Sequence, residues 1–134
     1  MSSEIVYQAV LPLEPRSKKN SQRIIYNKSL GRSIIIQSDE YKRFEKDCGK
    51  LLTRKPKTPI DFPVNCQYIM YRSTERVFDG LNGSAALDDI LVKYGILKDD
   101  NFHIVVGHDG TRVRVDRKNP RVEITITKIG EDEL

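Results

Sequence analysis

Residues 64–107, VNCQYIMYRSTERVFDGLNGSAALDDILVKYGILKDDNFHIVVG, decide the fold. VNCQYIMYRS alternates apolar with polar residues, the pattern of a strand with one buried face. GSAALDDILVKYG (83–95) then sets Ala86, Leu87, Ile90, Leu91 and Tyr94 at helical spacing, with Asn82 or Ser84 as N-cap and Gly95 just past the end. FHIVVG returns to a strand. This strand–helix–strand excursion leaves Asp79 at the exit of the first strand and the neighbours Asp99 and Asp100 at the entrance of the second. If both loops come to one end of the sheet, Asp79 and Asp100 can share Mg²⁺, which accepts one or two carboxylates and completes its shell with water and phosphate oxygens. The competing reading is that these aspartates are turn and cap residues, a role common for their type.

The flanking sequence supplies further elements. EIVYQAVLPL (4–13) reads as a first strand. RIIY and SIII flank NKSLGR (27–32) as a β-hairpin. SDEYKRFEKDCGKLLTRK (38–55) reads as a helix capped by Ser38, with Tyr41, Phe44, Cys48, Leu51 and Leu52 on its inner face and Gly49 weakening it slightly. Three prolines in RKPKTPIDFP end it. FHIVVGHDGTRVRV and RVEITITKI read as strands, the first broken by a hairpin-type turn at Asp109 and Gly110. His103 then falls in a strand and His108 in the turn, both in structural roles, and one of Asp88 and Asp89 faces solvent. The expected architecture is a single α+β domain over residues 1–134, a mixed sheet with two helices packed against it, and residues 1–4 and 130–134 as flexible ends.

At 38% hydrophobic and 31% charged residues in 134, the composition is that of a globular domain. No apolar run approaches a membrane span, and MSSEIVYQAV lacks a basic-then-apolar leader, so a cytoplasmic protein is expected. Cys48 and Cys66 have no metal-type spacing and read as reduced core residues. GLNGS is too short and irregular for a phosphate-cradling loop, and no Ser/His/Asp or Cys/His arrangement supports nucleophilic catalysis. Charge is uneven: residues 1–60 hold 13 Lys and Arg against 6 Asp and Glu, residues 61–134 hold 10 against 13. A basic half and a carboxylate-richer half suit a protein that handles nucleic acid, and ordinary surface charge is the plain alternative.

The frame FDGLNGSAALDDILVKYGILKDDNFHIVV (78–106) resembles the RusA family of Holliday-junction resolvases. That family carries D-x-D-N at the start of a helix, then a glycine, an Asp-Asp pair and a strand. RVEITITKIGEDEL is similar to its closing strand, and PLEPRSKKNSQRI to its basic opening. The resemblance implies a homodimeric Mg²⁺-dependent endonuclease (Mn²⁺ as a possible substitute) that hydrolyses phosphodiesters in branched DNA, a four-way junction above all, during recombination and repair. It implies Asp79 and Asp100 as catalytic metal ligands, Asp99 as a supporting catalytic carboxylate, and Lys18, Lys19, Arg23, Arg76 and Asn82 as DNA contacts. Two positions depart from the family. Leu81 stands where a second metal-binding aspartate is expected and Ala85 where a catalytic lysine is expected, with Glu75 and Arg76 just upstream. A family member that binds DNA with weak or no cutting is therefore a second expectation, and a phage accessory protein working through protein contacts a third.

Overall fold

The computed structural model describes residues 4–18 and 22–134. Its elements are β1 (Glu4–Leu11), β2 (Gln22–Asn27), β3 (Arg32–Gln37), α1 (Asp39–Leu51), β4 (Val64–Arg72), α2 (Gly80–Lys93), β5 (Val105–Gly107), β6 (Arg112–Val115) and β7 (Arg121–Lys128), followed by a 3-10 turn at Glu131–Glu133. The mixed α+β architecture is as expected, with two helices and a five-stranded mixed sheet. No helix among the described residues is long and apolar enough to cross a membrane. At the termini of the described residues, Glu4 opens β1 and Glu131–Glu133 form the 3-10 turn.

β4 lies at the centre. β7 flanks it on one side, antiparallel, and is itself paired with β1. On its other side β5 and β6 follow one another along the same edge, both parallel to β4: Val105 lies opposite Val64, and Arg112 to Val115 opposite Ile69 to Arg72. The turn at Asp109 and Gly110 is thus a jog between two segments running the same way, not the hairpin expected from the sequence. Gly110 takes a positive φ of 85°, and a Cβ there would meet the Gln67 amide.

Strand alternation sets the layers. Val64, Cys66, Tyr68 and Met70 of β4, with Val122, Ile124 and Ile126 of β7, are buried on the face that α1 and α2 cover. Gln67, Ile69 and Tyr71 point to the opposite face, which is half-buried and carries no helix among the described residues. Cys48 and Cys66 are buried free thiols, each pushed by burial up to about 12 and so unreactive. The hairpin β2–β3 forms a second, two-stranded sheet, with Ile24, Tyr26 and Ile35 exposed.

Ser38 caps α1 by accepting the Tyr41 amide, as expected, but the helix stops at Leu51 rather than running on to Lys55. Gly49 has a packing role: a Cβ there would lie 2.3 Å from the Tyr94 ring, so α1 and α2 can approach only because that atom is missing. A helix-interior Gly→Ala change normally gains up to about 1 kcal/mol, whereas overpacking costs about 1–3 kcal/mol. Gly49→Ala should therefore lower stability in urea denaturation, and the loss should shrink when Tyr94→Leu is added, because the two changes meet at one point of packing.

Candidate functional site

Parallel pairing of β4 with β5 fixes where each candidate sits. The chain leaves β4 at Arg72, reaches Asp79, and returns along α2 to the other end of the sheet. There Leu97 bridges Ile60, and the Val64 amide donates to the Ile104 carbonyl at 2.8 Å. Asp99 and Asp100 lie between those two contacts. Asp100 adjoins Asp89, ten residues along α2 from Asp79, so at 1.5 Å per residue the helix parts the two carboxylates by about 15 Å. Asp79 and Asp100 of one chain therefore do not meet, and they do not fit a single Mg²⁺, whose ligands must lie within a few ångströms of each other. Within one chain the two carboxylates stay apart because a helix joining parallel strands puts the exit of the first and the entry of the second at opposite ends. Among the described residues no group of three His, Cys, Asp or Glu side chains comes together around a metal-sized space.

Asp79 is the N-cap of α2, the role expected of Asn82 or Ser84. Its Oδ1 accepts the Leu81 and Asn82 amides at 3.0 and 3.3 Å, and its Oδ2 accepts the Asn82 side-chain amide at 2.7 Å. A cap of this kind contributes about 1 kcal/mol to the helix. Asn82, an expected DNA contact, thus has its side chain committed to Asp79. Leu81 and Ala85 are both exposed.

At the far end Asp99 makes a turn, accepting the Asp100 amide at 2.7 Å and the Asn101 side chain at 3.1 Å. These donors hold its carboxyl below the ordinary aspartate range. Asp100 meets Asp89, not Asp79. Its carboxyl is within hydrogen-bonding reach of the Asp89 carboxyl, which raises its pKa, with partial desolvation adding to the shift. Lys18 already answers that pair, with Nζ 2.8 Å from Asp89 Oδ2. Lys18 therefore spends part of its charge inside the protein. Lys19 lies outside the described residues, as does the Arg23 side chain. Arg76 is exposed in the β4–α2 loop, and the neighbouring Glu75 pairs with Arg117 at 3.5 Å.

A cluster that includes His108, expected only in a structural role, lies beside Asp79. Asp88 is buried on the sheet side of α2. Its Oδ1 accepts the Tyr68 hydroxyl at 2.5 Å, and its Oδ2 bonds His108 Nε2 at 2.8 Å. Two partners satisfy a carboxylate that would otherwise be costly to bury. Nε2 is thereby engaged and Nδ1 carries no hydrogen bond among the described residues, so the imidazole is an oriented group at a cleft. That cleft, about 420 Å³, is lined by Asp79, Leu81, Ser84, His108, Arg112 and Val113 among others. One signal for it is legible in the sequence: Ser84 and Asp88 sit four apart on the same helical face as Leu87 and Leu91, and a carboxylate there calls for a buried partner. His103, by contrast, is exposed in a turn rather than in a strand.

Compared with known proteins, the chain matches no family model and no curated protein.

The Asp88 hydrogen bond, outweighing partial burial, raises the His108 pKa above its ordinary value. A histidine whose folded pKa is raised adds stability that is complete below its unfolded value of about 6.5 and is lost as pH rises through the folded one. An NMR titration should place His108 above the ordinary histidine value, and Asp88→Asn should bring it back down. A His108 midpoint that Asp88→Asn leaves unchanged would contradict the pairing.

Proposed function

We propose that this protein is a RusA-like protein that binds branched DNA, and that a single chain does so without assembling the metal-dependent cutting centre implied by the resemblance. The colinear frame from Asp79 to Asp100 supports the family reading. The choice between binding and cutting is carried by one observation: α2 holds Asp79 and Asp100 at opposite ends of the sheet. Leu81 and Ala85 weigh the same way, since each replaces a group the chemistry needs.

Cations for phosphate contact are available on the uncovered sheet face. Arg112 and Arg114 of β6 are exposed there, bordering with Gln67 and Tyr71 a groove of about 720 Å³. Contacts of this kind position a duplex without reading its bases. A four-way junction has twofold symmetry, which a homodimer matches by presenting the same surface twice.

Metal-dependent cutting is the second reading, favoured by the adjacency of Asp89 and Asp100. Two carboxylates that close to each other form a pair a hard cation can take. Those two residues would then be the protein ligands, and the chemistry supplied would be activation of a water for attack on a phosphodiester.

One experiment separates the readings: a labelled four-way junction titrated with protein across a salt series, then incubated with Mg²⁺ or Mn²⁺. Binding should weaken steeply with salt through counterion release, with no nicks. Replacing Lys18 and Lys19 by Ala should lower the log–log slope by roughly one unit for each phosphate no longer neutralised. Nicking that disappears in Asp100→Asn would establish the second reading. Absence of salt-dependent binding would leave an accessory protein acting through protein contacts.

A further inference from the structure

The first turn of α2 is apolar where the family frame expects a carboxylate. Leu81 is 85% exposed and makes no part of the core. It lines one cleft with Val113, His108 and Arg112. Adjacent exposed apolar side chains in a concave site are a place for an apolar ligand face.

The surrounding charge says what the contact is with. Arg112 borders the cleft, and Arg114 stands two residues along the same strand. Both are exposed and neither has a hydrogen bond or ion pair among the described residues. The one exposed carboxylate lining the cleft, Asp79, is taken up by the three hydrogen bonds of the α2 cap. His108, anchored on Asp88, offers its second ring nitrogen as a hydrogen-bonding group beside the apolar surface. The complementary ligand has a flat apolar face, a polar edge and an attached negative charge. A nucleobase with its phosphate has all three, and a cavity of this size admits one ring system.

We propose that this cleft takes an unstacked nucleobase at the branch point of a DNA junction, with the base against Leu81 and Val113, its edge on His108 and its phosphate on Arg112. Leu81 is then a contact residue in place of a metal ligand, a use of exposed apolar side chains known at distorted base steps. The inference rests on the reading that the protein binds branched DNA.

The test is a four-way junction carrying the fluorescent base analogue pyrrolo-cytosine at its branch point. Junction affinity is followed separately, by anisotropy of an end label. Binding of the wild-type protein should raise the analogue's emission. Leu81→Ser and Val113→Ser should each abolish that rise and weaken binding about tenfold, the fold-change expected when a base loses its apolar contact with one aliphatic side chain. Both positions are at the surface, and retained circular dichroism confirms folding of each variant. Emission that stays flat while the wild-type protein still binds the junction overturns the base site and leaves junction binding standing. Loss of all junction binding removes the reading beneath it. Flat emission together with a Leu81→Ser shift in mass by light scattering assigns the patch to a second copy of the chain, and also overturns the proposal.

Discussion

The parallel pairing of β4 with β5 and β6 is the constraint on which the rest of this structure depends. Parallel neighbours cannot be joined by a tight turn, so the chain must travel the length of the sheet before it re-enters. α2 is that journey. Its length sets how far apart the two loops lie, and its inner face, from Ala86 to Leu91, closes the core over Tyr68 and Met70. The close approach of α1 at Gly49 and Tyr94 follows from the same placement.

That constraint sorts the carboxylates into two groups with different chemistry. Asp79 organises backbone amides at the start of α2, and Asp88, mid-helix on its buried side, orients an imidazole at a cleft. Its neighbour Asp89, on the more open side of the helix, meets Asp100 and Lys18. A charge count treats all of these aspartates alike. Geometry separates a cap, a buried anchor and a crowded pair. The cleft beside the cap is where apolar and cationic surface meet.

Much of the fold is legible in the sequence because it is written in local pattern. The alternation of VNCQYIMYR marks β4, the β-branched runs around Gly31 mark the hairpin, and Ser38 and Gly95 mark a helix start and a helix end. Less legible is what depends on direction. The excursion from β4 to β5 is visible in the pattern, but its parallel sense, which parts Asp79 from Asp100, is not. Reading Asp79 as a metal ligand also pushes the cap farther along, to Asn82 or Ser84, although an aspartate just before a helix is among the strongest cap signals. The His108–Asp88–Tyr68 cluster joins residues 20 positions apart on three parts of the chain, and no periodicity reports such a meeting. Gly49 looks like a helix defect in the sequence because its partner, Tyr94, lies on the other helix.

The separation of the two loops is the most direct thing to measure. Leu81→Cys and Asp100→Cys provide two exposed labelling sites, while Cys48 and Cys66 are buried with thiols too basic to react readily. Double electron–electron resonance on the spin-labelled protein, diluted with unlabelled protein to isolate distances within one chain, should give a single population near about 20 Å, the roughly 12 Å rise of α2 from Leu81 to Asp89, which Asp100 adjoins, extended by the two label side chains. A population below about 10 Å would put both loops at one end of the sheet, where their carboxylates could share an ion, and would contradict the account.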